Sequence, residues 1–477
     1  MCNHQSSRRR FLGNMLAVAG GSALPFTLNL AAMGTAAAQT ASDYKALVCL
    51  YLAGGNDPFN TLLATDSTSW NEYIRIRNVG GSTDSIALPA VGAAGGVLPI
   101  TPITSQAGRS FALHPSLQPL KELFDAGRLG ILTNVGTLIQ PTTKAQFLAN
   151  NVPLPPRLFS HNDQMATWQS LQPEGTQIGW GGRMADMMMS ANGNATFTSI
   201  SNAGNAVFLS GRSARQFQIS GTSMSPIANL DGTLYGTSAG ANPLRAIITG
   251  DQSNLFQKEH AAVVRNAVAA QAALASAMPA AGSGVPNPTM YINPTTGVAA
   301  VNPLAVQLQT IARIIAGRNG LGVKRQVFYV SLSGFDTHDL QKSRHADLMA
   351  KLAHAMAYFD GAMASLQGTD MRKQVTLFTA SDFGRTFASN GDGTDHGWGS
   401  HHFMMGGAVK GQNIYGTLPV TGLGHSLDVG SGALLPYYSV EQYAATLATW
   451  FGLSSSQLID VFPNLVNFSN HNLGFMS

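Results

Sequence analysis

One apolar run, residues 46–52, constrains the fold more than any other feature of the sequence. It consists of Ala, Leu, Val, Cys and Tyr, with no polar residue on either of the two faces that a strand would present. A strand that is apolar on both faces is typical of the centre of a parallel sheet covered by helices on both sides. Gly54 and Gly55 end the run, and Asp57 follows, so the predicted buried strand leads directly to a carboxylate.

Strand-like and helix-like segments alternate over much of the remaining chain. Further strands are predicted at residues 129–135, 326–332 and 375–379, with a strand-like piece at 403–405. Helices are predicted at residues 115–127, 257–278, 304–316, 343–366 and 440–451. This alternation predicts an α/β domain with a mostly parallel sheet. Residues 181–303 are rich in Ser, Thr, Asn and Gly and are predicted to form a variable insertion.

The N-terminus has the pattern of an export signal. Residues 7–12 read Ser-Arg-Arg-Arg-Phe-Leu, a weakly apolar stretch covers residues 15–33, and three alanines precede Gln39. Paired arginines, a weak apolar region and an Ala-x-Ala site indicate a twin-arginine signal peptide over residues 1–38. We therefore expect a periplasmic or extracellular protein.

The charge balance excludes several function classes. Charged residues make up only 11% of the chain and hydrophobic residues 44%, which excludes a disordered polyelectrolyte or a coiled coil. Without Arg8, Arg9 and Arg10, 25 basic residues face 24 acidic ones, so nothing points to nucleic acid as a partner. Charged residues, Gly or Pro interrupt each apolar run after residue 40, and no membrane span is expected.

Three predicted strands are each followed closely by an aspartate, namely Asp57, Asp336 and Asp382. In open α/β sheets, ligands bind outside the carboxyl ends of the strands. The three carboxylates are therefore candidates for one shared site, although a single aspartate at a strand end is more often a turn or cap residue.

Histidines are concentrated in the same part of the chain. Six of the 12 histidines lie between His338 and His402, and residues 395–402 contain three of them beside an aspartate. Carboxylate oxygen and neutral imidazole form a ligand set for Zn²⁺ or another divalent ion. The alternative is that His401 and His402 are ordinary loop residues, and His345 and His354 are interpreted as ordinary helix residues.

Ser160 and His161 precede a segment that looks helical. Near a helix N-terminus, backbone N–H groups and the helix dipole stabilise anions, which suits an alkoxide nucleophile or a bound phosphate or sulfate. A plain N-cap serine has the same pattern, and that alternative stays open for Ser160. His161 is a candidate metal ligand or hydrogen-bond donor.

Several motifs occur together in this chain. They are Gly54-Gly55-Asn56-Asp57, Leu113-His114-Pro115, Ser160-His161, Gly179-Trp180, Phe335-Asp336-Thr337-His338, Ser381-Asp382-Phe383-Gly384-Arg385-Thr386, Gly393-Thr394-Asp395-His396-Gly397 and Trp450-Phe451-Gly452. With these motifs and the twin-arginine start, the chain resembles the DUF1501 family of exported bacterial proteins. That family is similar to the alkaline phosphatase and sulfatase superfamily. The resemblance implies a three-layer α/β/α sandwich, formed as a single domain by residues 39–477.

The resemblance also implies roles for individual residues. The implied metal ligands are Asp57, Asp336, His338, Asp382 and a late histidine, His396 or His401. The implied catalytic residues are Ser160 as nucleophile and His161, with Asn56 or Arg385 orienting an anion. One departure is Phe383, which stands where the superfamily usually has a histidine after the aspartate.

Two functions of different classes follow. The first is an exported hydrolase of phosphate or sulfate esters, acting on a small molecule or a polymer with a divalent ion such as Zn²⁺, Mg²⁺, Mn²⁺ or Ca²⁺. The second is a non-catalytic exported protein that uses the same fold to bind a ligand, a glycan or a partner, which the Phe383 departure favours. A structural envelope protein is a third interpretation.

Overall fold

The computed structural model describes residues 43–79, 85–221, 230, 243–250 and 253–477. The predicted signal peptide, residues 1–38, lies outside the described residues. Among the helices of the described part, none has the length and apolar character needed to cross a bilayer.

Sixteen strands occur within the described residues. They are β1 Lys45–Ala53, β2 Leu62–Ala64, β3 Leu98–Ile100, β4 Phe111–Leu113, β5 Leu129–Gly136, β6 Ser199–Ser201, β7 Phe217–Gln218, β8 Tyr291–Ile292, β9 Ala299–Ala300, β10 Arg325–Ser333, β11 Val375–Ser381, β12 Arg385–Ser389, β13 Thr394–His396, β14 Ser400–Met405, β15 Asn413–Tyr415 and β16 Tyr438–Ser439.

Twelve α-helices lie between or beside these strands in the described ranges. They are α1 Ser67–Arg77, α2 Gln118–Asp125, α3 Lys144–Ala149, α4 His161–Ser170, α5 Trp180–Met188, α6 Pro243–Thr249, α7 Leu255–Ala277, α8 Pro303–Ala316, α9 Arg318–Leu321, α10 Gln341–Ala364, α11 Val440–Phe451 and α12 Ser455–Val461.

The main sheet has the order β15-β5-β14-β11-β1-β10-β6-β7, with β16 also paired to β5. Strand β1 pairs in parallel with both β10 and β11, so the apolar run of the sequence lies near the middle of the sheet. Strand β14 is antiparallel to its neighbours β11 and β5, while the other pairs are parallel.

Alternate residues of β1 pack into two different hydrophobic cores. Val48 and Leu50 contact the cluster that contains α8 and α10, whereas Leu47 and Tyr51 contact the cluster that contains α11. Successive side chains of a strand point to opposite faces, so a strand that is apolar throughout needs a helix layer on each side. The mostly parallel sheet between two helix layers confirms the predicted α/β fold.

The segment predicted as an insertion contributes in part to the main sheet. Strand β6 pairs in parallel with β10, and α5 packs against the core through Trp180 and Met184. The short hairpin of β8 and β9 also lies within this segment. The proposed limits of the insertion stay a prediction.

Candidate metal centre

The carboxyl ends of three central strands lie side by side. Ala53 at the end of β1 is in register with Ser333 at the end of β10, and Leu52 is in register with Ser381 at the end of β11. The chain segments that follow these strands therefore leave the sheet together, as the strand-end rule predicts. The backbone N–H of Gly54 donates to Asp382 Oδ2 at 3.2 Å, which joins two of these segments.

His161, Asp336 and His396 form a cluster that could hold a metal ion. Each offers one ligand atom, and these atoms lie within 4.8 Å of one another. Asp336 Oδ2 is 3.3 Å from His161 Nε2, and Asp336 Oδ1 is 3.2 Å from His396 Nε2. Helix α4 begins at His161, β10 leads to Asp336, and the β12–β13 hairpin ends at His396, so three separate parts of the chain meet here.

Hydrogen bonds to the Nδ1 atoms of His396 and His161 determine which ring nitrogen of each faces the cluster. His396 Nδ1 lies 2.7 Å from the carbonyl oxygen of Phe159, so this nitrogen donates. His161 Nδ1 lies 2.8 Å from Asp382 Oδ2, which likewise requires a donor at Nδ1. In a neutral imidazole the Nε2 atom then carries a lone pair, which is the arrangement found behind metal-binding histidines.

When both imidazoles are neutral, the inner side of the cluster consists of acceptor atoms. His161 Nε2 is buried and has no hydrogen-bond partner in the described structure. Two lone pairs and a carboxylate that face one another repel unless a proton or a cation lies between them. The donor set of two imidazoles and one carboxylate therefore fits a divalent metal ion.

His338 lies beside the three-residue cluster. Its Nε2 lies 3.0 Å from His396 Nε2 and 3.0 Å from Asp336 Oδ1. Its Nδ1 is 3.4 Å from Asp395 Oδ1, and the side chain is 44% exposed. His338 is therefore the most exposed of the three imidazoles, and it can serve either as a further ligand or in proton transfer.

The charges around the cluster shift the pKa values of its members in different directions. The hydrogen bond to Asp382 raises the pKa of His161, against the opposing effect of burial. Burial lowers the pKa of His396. Burial favours the neutral form of Asp336, but the nearby Arg385 outweighs it and the pKa of Asp336 is lowered overall. The carboxylate is thus held ionised, as a metal ligand must be.

Arg385 binds Asp336 and fixes the position of its carboxylate. Its Nη1 donates to Asp336 Oδ1 at 2.7 Å and to the carbonyl oxygen of Gly54 at 3.3 Å, while its Nη2 donates to the carbonyl oxygen of Thr394. The Arg385 side chain is completely buried. The predicted role of Arg385 in orienting a substrate anion needs an open guanidinium, which this arrangement does not provide.

Asn56 is placed in the same buried network. Its side chain donates to Thr61 Oγ1 at 3.0 Å, and its Oδ1 lies 3.0 Å from His345 Nε2. Asn56 is 1% exposed, so its surroundings also differ from those of a substrate contact. His345, interpreted from the sequence as an ordinary helix residue, is fully buried, and burial lowers its pKa to about 4.

Asp57 does not join the metal cluster. Both of its oxygens contact Arg77, and the two side chains are completely buried. Gln341 Nε2 donates to Asp57 Oδ2 at 2.6 Å, and the backbone N–H of Phe59 donates to Oδ1 at 2.9 Å. The strand-end pattern placed Asp57 at the correct edge, but the turn after β1 directs its side chain to Arg77 of α1, so the predicted ligand role has no support in this geometry.

Asp382 binds one member of the cluster, His161. Its Oδ2 binds His161 Nδ1 and the N–H of Gly54, so this oxygen orients an imidazole, while its Oδ1 is buried and has no hydrogen-bond partner among the described residues. Phe383 packs its ring against both His161 and His396, with ring centroids 4.8 and 4.6 Å apart. The aromatic ring of Phe383 thus fixes the two imidazoles by contact.

Ser160 lies at the N-cap of α4 and donates its hydroxyl proton to Asp163 Oδ2 at 2.7 Å. The preceding Phe159 has a φ of +71°. This backbone conformation costs a residue other than glycine about 1–3 kcal/mol of conformational free energy and is often found at functional sites. The bend directs the Phe159 carbonyl oxygen to His396. The sequence identified Ser160 and His161, but neither Asp163 nor this carbonyl has a signal that single-sequence reasoning could use.

His401 and His402 are both inside the core, on β14. The backbone N–H of Asn134 donates to His401 Nδ1 at 3.1 Å, and burial lowers the pKa of His401 to about 4. His402 packs edge-on against Trp168 and stacks on Tyr443. The antiparallel pairing of β14 with β11 and β5 buries these residues, so the geometry brings His396, and neither of the other two, to Asp336.

Gly54→Ala is expected to destabilise the fold and to weaken the metal centre. Gly54 has a φ of +117°, and a Cβ atom there would lie 2.4 Å from the backbone nitrogen of Asp336. The backbone conformation alone costs about 1–3 kcal/mol of unfolding free energy, and the clash adds to it. Gly108→Ala is the matched control, since Gly108 has a φ of +72° and open space around it. Equal losses in urea unfolding of both variants would contradict the predicted clash.

His402 is expected to make the fold acid-sensitive. Burial lowers its pKa to about 3, so between pH 6.5 and about 3 the unfolded chain binds a proton that the native chain does not. The free energy of unfolding then falls by about 1.4 kcal/mol for each pH unit on acidification through this group. His402→Leu should reduce that slope between pH 6.5 and 5, measured by urea unfolding at fixed ionic strength. A slope equal to the wild-type slope would disprove the assignment.

Comparison with known proteins gives one family and several distant structures. The family model described as "Protein of unknown function (DUF1501)" matches residues 44–462. No curated protein matches the chain.

Three solved structures show a remote likeness to this chain. The crystal structure of Ps i-CgsB shares 7% identity at a TM-score of 0.34, covering 90% of this chain and 78% of that one. Its complex with k-i-k-neocarrahexaose shares 8% at 0.33, with the same coverage. A Bacteroides thetaiotaomicron structure, described in terms of the metabolism of multiple glycosaminoglycans, shares 10% at 0.31, covering 87% and 74%.

Proposed function

The chain belongs to the DUF1501 family, and from the geometry of its metal centre we propose that it is an exported hydrolase of phosphate or sulfate esters that depends on a divalent metal ion. One observation carries the proposal. The Nε2 atoms of His161 and His396 face the Asp336 carboxylate, while their Nδ1 atoms are held by Asp382 and the Phe159 carbonyl.

His161, Asp336 and His396 would hold the ion, with His338 beside them. Imidazole nitrogens favour Zn²⁺ and similar transition metals, whereas Mg²⁺ and Ca²⁺ prefer oxygen ligands, so Zn²⁺ is the preferred candidate. When bound, such an ion supplies Lewis-acid stabilisation of ester oxygens and lowers the pKa of a coordinated oxygen nucleophile.

Ser160 is the proposed nucleophile. Its hydroxyl donates to Asp163 Oδ2, so Asp163 can accept the Ser160 proton as the oxygen attacks the phosphorus or sulfur centre. The position at the first turn of α4 favours the negative charge that develops on the attacking oxygen. The attack forms an O–P or O–S bond to Ser160 and breaks the bond to the leaving alcohol.

His338 is the proposed proton donor to the leaving group. Its imidazole is the most exposed of the three in the cluster, and Asp395 near Nδ1 can stabilise the protonated ring. A half-exposed imidazole can exchange protons with bulk water and pass one to the leaving oxygen.

Ser160→Ala is expected to lower the hydrolysis of p-nitrophenyl phosphate or p-nitrophenyl sulfate by at least about 10²-fold, because attack by the serine oxygen is lost. The assay uses zinc-supplemented protein and follows release of p-nitrophenol. Ser456→Ala, an exposed serine in the first turn of α12, is the control and should keep full turnover.

Two outcomes would count against the hydrolase. The first is wild-type protein that binds no metal. The second is turnover that Asp336→Ala leaves unchanged.

A second candidate function is ligand binding without catalysis. The observation that favours it is Phe383, which packs on both imidazoles and leaves the described residues with a single three-residue metal cluster. Retention of glycan or partner affinity in Asp336→Ala, together with absence of ester turnover in the wild type, would support this alternative.

A further inference from the structure

A buried carboxylate oxygen behind the metal centre has no donor. Asp382 is 4% exposed, and its Oδ2 accepts hydrogen bonds from His161 Nδ1 and from the N–H of Gly54. Its Oδ1 makes no hydrogen bond of normal geometry within the described residues. Such a buried acceptor is costly and calls for an explanation. Since Asp382 holds the ring of His161, a group that fixes this carboxylate also fixes a proposed metal ligand.

A buried hydroxyl on the neighbouring strand β1 has the opposite need. Tyr51 is 1% exposed, and its hydroxyl also makes no hydrogen bond of normal geometry in the described part of the chain. Burial raises the pKa of Tyr51 well above its usual value, and Asp382 raises it further through its charge and as a hydrogen-bond acceptor. The Tyr51 hydroxyl therefore keeps its proton and is available as a donor.

The pairing of β1 with β11 places these two groups on one face of the sheet. Tyr51 is in register with Ala380, and both side chains pack in the hydrophobic core that contains α11. Asp382 follows Ala380 by two residues, which in an extended chain corresponds to the same face. The effect of Asp382 on the pKa of Tyr51 agrees with this placement, so the donor and the acceptor are neighbours.

We propose that Tyr51 is a positioning residue of the metal centre, and that its hydroxyl is the donor for Asp382 Oδ1. A carboxylate held at both oxygens presents Oδ2 to His161 in a fixed direction, and this fixes the direction of His161 Nε2. Outer partners of this kind orient a metal-binding histidine and increase its basicity, and buried hydrogen bonds in a chain strengthen one another. The inference rests on the proposed metal centre and adds to it a residue of β1.

Tyr51→Phe tests the proposal, because it removes the hydroxyl and keeps the ring. We expect the zinc affinity of the full-length protein, measured by competition with a chromophoric chelator, to fall about 10-fold. Tyr443→Phe is the matched control, since Tyr443 is buried in the same core and its hydroxyl donates to the carbonyl oxygens of Thr379 and Phe403, both at 3.4 Å. Its zinc affinity should equal that of the wild type.

A double-mutant cycle and an NMR signal make the assignment specific. When Asp382→Ala is already present, adding Tyr51→Phe should change the zinc affinity by about twofold or less, because the connection to His161 is already lost. The Nδ1 proton of His161, observed in protein with isotope-labelled histidine, should shift in Tyr51→Phe and stay unchanged in Tyr443→Phe. A purely structural role of Tyr51 would not produce this pattern.

Two results would overturn the role of Tyr51 while leaving the metal centre in place. They are wild-type zinc affinity in Tyr51→Phe, and an equal loss when Tyr51→Phe is added to the wild type and to Asp382→Ala. If Asp382→Ala fails to fold, the comparison of Tyr51→Phe with Tyr443→Phe still decides. A wild-type protein that binds no zinc would instead overturn the metal centre itself, and this inference with it.

Discussion

His161→Ala is expected to abolish tight metal binding. The wild type should bind one Zn²⁺ per chain, and the variant should bind it at least about 100-fold more weakly, because removal of an oriented outer partner alone typically costs 10–100-fold. His161 supplies an Nε2 atom without another partner, 3.3 Å from Asp336. Competition with a chromophoric chelator measures the affinity, and elemental analysis after dialysis measures the stoichiometry.

Two further variants make this test specific. Asp382→Asn keeps the side-chain shape and removes the charge that holds His161 Nδ1, so we expect an intermediate loss. His354→Ala removes a half-buried histidine of α10 that bonds to Thr289 and Asn302, and its metal affinity should equal that of the wild type. A wild-type protein that binds no Zn²⁺, or equal affinity in His161→Ala and His354→Ala, would exclude the proposed centre.

Arg77→Met is expected to lower the free energy of unfolding by about 3–5 kcal/mol. The substitution leaves the Asp57 carboxylate buried without its cation, and removal of one partner of a buried ion pair costs about this much. Asp57 is normally held ionised by this pairing, because Arg77 lowers its pKa against the effect of burial. Urea unfolding at pH 7 measures the loss.

The exposed pair of Arg75 and Glu72 on the same helix gives the matched control for Arg77→Met. The Arg75 side chain is 63% exposed, so Arg75→Met should leave the unfolding midpoint nearly unchanged. Folded Arg77→Met should also keep wild-type zinc affinity. A loss of affinity as large as in His161→Ala would show that the metal centre depends on the Arg77–Asp57 pair, although neither side chain contacts the cluster.

Much of the secondary structure could be predicted because it depends on local patterns. The apolar run at residues 46–52 corresponds to β1, and the helix predicted at residues 440–451 is α11 with the same bounds. Other boundaries differ by a few residues; the helix predicted at 343–366, for example, is α10, Gln341–Ala364. Caps and neighbouring strands decide such ends, and periodicity does not determine them.

The candidate site was only partly predictable. The strand-end pattern identified Asp336 and Asp382 as candidates. His338 and Ser160 became candidates because they lie close in the chain to Asp336 and His161. The sequence could not distinguish Asp57 from the other two aspartates, since the contact that decides its role comes from Arg77 on α1. In the same way, the histidine-rich segment could not show that His401 and His402 enter the core while His396 stays at the rim.

By itself, the sequence determined the layer architecture and the edge of the sheet at which polar groups collect, because both follow from the period of apolar residues and from the direction of parallel strands. The tertiary structure alone decided which side chains face one another. A ligand set depends on distances of a few ångströms between residues far apart in the chain, such as His161, Asp336 and His396. Those distances are set by the packing of whole elements, and no local pattern encodes them.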